Sequence, residues 1–220
     1  MQGDRIPAKV LSLRLIPNLE PEMRRRFQLL PGERSIGLLT CDSDDVGYTA
    51  VDEATKKAEV RVCYATSMYA GASNASTALA GEFIAVLAGP TPAEVESGLR
   101  AARYFVEHEA CFFSANQDDT IVYYAHCISR TGSYLSAMAG IPPGTPLAYL
   151  IAPPLESVYG VDQALKAANV HMAEYYGPPS NTNFGGALLT GSQSDCAAAC
   201  QAFERAVLEI AAQPIGMEEE

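Results

Sequence analysis

The sequence predicts an α/β (α+β) chain of two tandem domains, residues 1–110 and 111–220, each an antiparallel sheet flanked by helices. Three observations carry this expectation. First, "VDEATKKAEV" at 51–60 returns as "VDQALKAANV" at 161–170, so that Val51, Asp52, Ala54, Lys56, Ala58 and Val60 recur as Val161, Asp162, Ala164, Lys166, Ala168 and Val170. Second, the first copy opens with small apolar residues at helical spacing and then switches into the strand-like alternation of "AEVRVCY". Third, the elements around each copy follow one order, with Gly closing a strand before a helix start in both "LAGPTPAEV" and "LTGSQSDCA".

In the first half, "KVLSLRLI" (9–16) reads as a strand, "PEMRRRFQ" (21–28) as a short helix and "SIGLLTC" (35–41) as a buried strand. The repeated helix (46–58) and its strand follow, then a Gly/Ala/Ser/Asn loop (67–80), a strand "EFIAVLAG" (82–89) and a helix over 92–107. The second half supplies "TIVYYAHCI" (120–128), a short helix (133–139), "LAYLIAP" (147–153), a helix (155–168) and a strand (169–176). A loop rich in Pro and Asn, the strand "GALLTG" (186–191) and a helix (194–211) complete it. Thr91 with Glu94, and Ser192 with Asp195, have the spacing of capping boxes, in which hydroxyl and carboxyl satisfy free first-turn amides. The repeat offset is 110 at the quoted helix and 102 at Gly89 and Gly191, which gives the first half the longer loop between its last two strands.

Composition narrows the function classes. A net charge of -11 argues against nucleic acid or an anionic membrane surface as a partner, because phosphate binding depends on clustered Lys and Arg. The one basic run, Arg24, Arg25 and Arg26, follows acids on a short helix and reads as a solvated face or a salt-bridged interface. No apolar run approaches the ~18 residues a membrane span requires, and the first residues lack the apolar core and cleavage site of a signal peptide, so a cytoplasmic protein is expected. Six cysteines without a C-x-x-C spacing read as small buried thiols in a reducing compartment.

Catalytic and metal motifs are weak. "HCISRTGS" (126–133) begins like a cysteine phosphatase loop, but Arg130 stands three residues after Cys127 and Ser133 takes the place that loop gives to Arg. Asp42, Asp44 and Asp45 could serve a metal or acid/base chemistry, although acids just before a helix are also what its dipole favours. Capping is the expected role. His108, His126 and His171 have no metal-ligand spacing, and neither a P-loop nor a nucleophile elbow is present, so no metal and no cofactor are expected.

The segments "SIGLLTCDSDDVGYTAVDEATK", "SMYAGASNAST", "SRTGSYLS", "LAYLIAPPLESVYG" and "NFGGALLTGSQSDC", spanning 35 to 196, resemble the bacterial microcompartment shell domain present twice. The whole chain is similar to the tandem-domain shell proteins of ethanolamine-utilisation compartments. The early strand "VLSLRLIPN" matches an element that single-domain relatives carry at the C-terminus, which implies the circularly permuted form. The resemblance implies a structural, non-enzymatic protein of a microcompartment shell in the cytoplasm, partnering itself as a homotrimer and other shell proteins. Three two-domain chains would then make the pseudohexameric tile that six single domains make, with gated pores for metabolites.

Carried over by position, Tyr69, Ala70, Gly71 and Asn183 belong to the loops of the central pore. Asp45, Glu82, Phe112, Thr182 and Phe184 match the lining of a smaller pore that can hold ethanolamine. Carboxylates and aromatic faces suit an ammonium, and a hydroxyl group suits the alcohol end. Asn181 departs from the pattern, since related sequences often carry Glu there. Two other readings stand beside this one: an amine-binding regulatory module that does not tile, and a hydrolase using Cys127 with His126.

Overall fold

Strand order is the clearest expression of the repeat. The computed structural model describes residues 1–68, 77, 79–178 and 183–216. Among the described residues, ten strands run in chain order as β1 (Arg5–Pro7), β2 (Val10–Ile16), β3 (Ser35–Cys41), β4 (Arg61–Ser67), β5 (Phe83–Gly89), β6 (Cys111–Ser114), β7 (Val122–Ile128), β8 (Leu147–Ala152), β9 (Val170–Tyr176) and β10 (Gly185–Gly191). The helices of the described residues are α1 (Pro21–Arg26), α2 (Asp44–Lys57), α3 (Pro92–Tyr104), α4 (Ser133–Ala139), α5 (Pro154–Ala167) and α6 (Gln193–Ala212), with a π turn, Phe105–Glu109, continuing α3. One sheet has the order β2-β3-β5-β4; the other contains β7-β8-β10-β9 and adds β1 and β6 at its β7 edge. The corresponding neighbours pair antiparallel in both sheets.

Contacts divide the chain into two units: the first is Pro7–Ala110 with Thr131–Ala137, and the second is Met1–Ile6, Cys111–Arg130 and Met138–Glu220. β1 and β6 were not anticipated. The other elements agree with the sequence reading to within a few residues, except that the helix expected over 92–107 ends its α-helical part at Tyr104 and passes into the π turn.

Burial explains which text became which strand. The central strands β3 and β8 are almost wholly buried, and a strand enclosed on both faces has no polar side to alternate with. The outer strand β9 is mostly exposed instead, with Val170 its one buried residue. In the first unit Leu39, Val46, Ala50, Val51, Ala54, Phe83 and Leu87 are fully buried beneath α2 and α3. In the second, Leu150, Ala164, Leu189, Ala199, Phe203 and Val207 share one cluster under α5 and α6. Each large side chain so enclosed contributes about 1.5–3 kcal/mol. A small residue sets the approach of α5 to α6: a methyl on Gly160 of α5 would stand 2.7 Å from the ring of Phe203 on α6.

Caps partly follow the expectation. Thr91 accepts the Glu94 amide at 3.2 Å and Ser192 accepts that of Asp195 at 3.1 Å. The return halves of the boxes differ, because Glu94 takes the Glu59 amide at 2.7 Å and the Asp195 carboxylate accepts the Ser192 hydroxyl at 2.5 Å. Of the aspartates expected to cap α2, Asp44 accepts the first-turn amide of Asp45 at 3.0 Å, and both lie in the first turn, where the helix dipole favours acids. Ser43 is the N-cap residue and makes no side-chain cap bond, while Asp42 accepts the Lys9 amide at 2.6 Å.

Candidate functional site

The acidic group of the first unit is built where α2 begins against the ends of β4 and β5. Asp44 and Asp45 open α2 and are both buried, at 8% and 7% exposure. Asp44 accepts the Asp45 amide at 3.0 Å and bonds the Ser67 hydroxyl side chain at the end of β4. One helical turn on, the Tyr48 hydroxyl meets the same Ser67 oxygen at 2.9 Å, and its ring stands edge-on to Phe83 with centroids 4.8 Å apart. Glu82, just before β5, is held by its backbone: its amide donates to the Cys41 carbonyl at 2.9 Å and its carbonyl accepts from Met68 at 2.7 Å.

Burial pushes the Asp44 carboxyl above its ordinary range against the pull of its hydrogen bonds. Burial also raises Glu82, and the neighbouring charges of Asp44 and Asp42 raise it further. A group of partly desolvated carboxylates that repel one another favours a proton or an organic cation.

Of the expected small-pore residues, Asp45 and Glu82 fall in the first unit, Phe112 and Phe184 in the second. Phe112 and Phe184 meet edge-to-face at 6.0 Å, and Phe112 also lies 5.3 Å from Tyr124, whose ring stands edge-on to Tyr149 at 5.6 Å. Asn183 is exposed in the left-handed region, at φ 64°. Thr182, Tyr69, Ala70 and Gly71 lie outside the described residues.

Sequence reasoning did not assign Tyr48 and Ser67 to this group. The spacing of Asp44 and Tyr48, one turn apart on a helix, was the available signal, whereas Ser67 is brought in by the sheet. Asp52, noticed only as a mark of the repeat, does something different from Asp44. It accepts the amides of Gly132 and Leu135 at 2.7 and 2.8 Å, and so holds the start of α4.

The groups suggested for hydrolysis are unsuited to it. His126 and Cys127 are consecutive on β7 and therefore point to opposite faces. The His126 ring stacks on Tyr124 with centroids 5.6 Å apart, and burial raises the Cys127 thiol away from the thiolate a nucleophile requires. Among the described residues, no group of three or more His, Cys, Asp and Glu is placed to hold a metal ion, and no helix is long and apolar enough to cross a membrane.

A helix-backed antiparallel sheet written twice in one chain, with an acidic group at the start of α2, defines a tandem-domain α/β protein. The comparisons give that class its family. Residues 35–116 match the BMC domain. The bacterial microcompartment shell protein EutL of Clostridium perfringens is 60% identical over 216 residues, covering 98% of this chain and all of that one. The EutL of Escherichia coli K12 is 51% identical over 212 residues, 96% of this chain and 97% of its own. A crystal structure of the ethanolamine utilization protein EutL from Leptotrichia buccalis superposes with a TM-score of 0.96 at 62% identity, covering 99% of this chain and 100% of that chain. The chain belongs to the bacterial microcompartment shell protein family, and its role is structural and not enzymatic.

Proposed function

We propose that the chain assembles as a homotrimer of pseudohexagonal outline, a tile that joins other shell proteins and passes small metabolites, ethanolamine foremost, through gated pores. The doubled domain carries this reading. Two unequal copies per chain let three chains supply six domains while the loops differ, as the shorter spacing between Gly89 and Gly191 than between Asp52 and Asp162 requires. Ethanolamine enters through the L. buccalis relative, which is named for its utilization.

Within this reading, Asp45 and Glu82 supply carboxylates to the ammonium, and the resemblance adds Phe112, Thr182 and Phe184 to the lining of the small pore. Tyr69, Ala70, Gly71 and Asn183 belong to the central-pore loops. A cation beside Glu82 would relieve the repulsion it receives from Asp44 and Asp42.

Sedimentation tests the oligomer: a species of about 70 kDa is expected from three chains of 23.4 kDa, and a stable monomer or hexamer overturns it. Electron microscopy of overexpressed protein tests the tile, with extended sheets expected and their absence favouring a module that does not tile. Calorimetric titration tests the ligand. Ethanolamine should bind in the micromolar to millimolar range, since four heavy atoms supply little surface. Glu82→Gln should weaken it by about 1.5–3 kcal/mol, the scale of a charge-assisted hydrogen bond. Equal heats from ethanolamine and ethylene glycol refute an ammonium site.

A further inference from the structure

Asp44 ends a chain of hydrogen bonds that crosses from helix to sheet. Its carboxylate takes the Asp45 amide at 3.0 Å and the hydroxyl of Ser67, the last residue of β4. The Tyr48 oxygen lies 2.9 Å from the same Ser67 oxygen. The direction of these bonds follows from the protons present. An ionised carboxylate only accepts, so the single Ser67 proton goes to Asp44, and the Tyr48 hydroxyl donates to a Ser67 lone pair. The chain therefore runs from Tyr48 through Ser67 to Asp44, with both donors turned toward the negative charge.

Its far end is braced. The Tyr48 ring stands edge-on to Phe83, with centroids 4.8 Å apart, and stacks on Tyr134 of α4 at 6.2 Å. Asp52, one turn further along α2, fixes the start of α4 by accepting the amides of Gly132 and Leu135, and so holds Tyr134 in place. All of these residues belong to the first unit. The stretch "SRTGSYLS" thereby supports the acidic group through Tyr134.

Titratable groups face Asp44 from each adjoining element: Asp45 and Tyr48 on α2, Asp42 before it, Cys41 at the end of β3 and Glu82 before β5. Burial favours the neutral carboxyl of Asp44, and the bonds from Ser67 and the Asp45 amide oppose it. A charged Asp44 strengthens the negative field at Glu82, and a neutral one weakens it. Ser67 thus bears on the charge of the site from one bond further back.

We propose that Ser67, with Tyr48 behind it, is a positioning residue that keeps Asp44 oriented and charged, and so sets the pH range over which the site prefers a cation to a neutral alcohol. The inference rests on the ammonium reading of the site and adds to it how its charge is maintained.

The test is calorimetric titration of ethanolamine and of ethylene glycol into the full chain between pH 5 and 8, where an aliphatic amine keeps its proton. In wild type, ethanolamine affinity should rise with pH as Asp44 ionises. In Ser67→Ala the rise should move upward by about one pH unit, which weakens ethanolamine by up to about tenfold on its acid side and little at its alkaline end. Ser67→Thr, which keeps a hydroxyl, should restore the wild-type profile. Tyr48→Phe keeps the ring between Phe83 and Tyr134 and removes only the donor, and it should move the rise in the same direction by less. Ethylene glycol should be indifferent to all three. A pH profile unchanged in both Ser67→Ala and Tyr48→Phe overturns the proposal and leaves the ammonium site standing, as does an equal loss at every pH, which is the mark of a merely structural role. Equal heats from ethanolamine and ethylene glycol in wild type overturn the ammonium site and the proposal together.

Discussion

The carboxylate of Asp52 on α2 accepts the backbone amide of Leu135 at 2.8 Å, across 83 residues of chain. Its other oxygen takes the Gly132 amide at 2.7 Å, and the side chain is 1% exposed. Asp52→Ala leaves two amides without their acceptor in a buried place. The expected loss is about 2–3 kcal/mol, from charge-assisted bonds and the loss of a cap. Urea denaturation followed by circular dichroism measures it, and an unchanged midpoint would show that water replaces the carboxylate.

Ala54 and Ala164 are fully buried at matching positions on α2 and α5. Ala54→Leu and Ala164→Leu must therefore lift a helix or displace neighbours, at about 1–3 kcal/mol each. Thermal denaturation of the two variants should show similar losses; a neutral result in both contradicts the tight seating of these helices.

Acidity should stabilise the first unit. Asp44 and Glu82 both have raised pKa values, burial being the leading cause, so folding favours their protonated forms. Their contribution is present below the unfolded-state values of 3.8 and 4.5 and is lost as pH rises through the higher folded-state values. The Asp44→Asn variant should therefore lose less stability than the wild type as pH rises from 4 toward neutrality. Melting curves across that interval decide it, and parallel pH profiles would remove Asp44 from the account.

Thiol chemistry should be slow in the native protein. Burial pushes Cys63 to about 11 and Cys41 to about 12. At pH 8, alkylation of Cys63 should run roughly a hundred-fold slower than for a free thiol and recover in denaturant. Rapid native labelling, read by mass spectrometry of the peptides, would show that these side chains are open to solvent.

Much of the fold was legible because both copies obey the same local rules. Apolar runs closed by Gly marked β5 and β10, and hydroxyl residues marked the starts of α3 and α6. Two strands escaped. β1 is three residues ending in Pro, and β6 is the four-residue "CFFS", which follows the π turn without a Gly or Pro signal. Both are too short for period-two alternation to register.

The candidate site was legible in part. Asp45 and Glu82 came from family resemblance, but the group acting most directly on Glu82 is the neighbouring Asp44. Asp52 shows the deeper limit. Its amide partners lie 80 and 83 residues away, so no local spacing announces them; what it shares with Asp162 is the i,i+4 lysine pair, at 3.8 Å to Lys56 and 2.6 Å from Asp162 to Lys166.

The exchange of segments between the units has a consequence for how the protein is made. The first unit includes Thr131–Ala137, and the second includes Met1–Ile6. A ribosome that has just finished Ala110 has therefore not yet supplied the piece that covers Asp52. At about 5–20 residues per second, that piece follows within seconds. Meanwhile the nascent amino terminus waits for a strand, β6, made only after the whole first sheet. Translation thus delivers a leading unit that lacks only its last short piece and a leading tail without its partner strand, so each unit is completed by chain made after the first unit's main stretch.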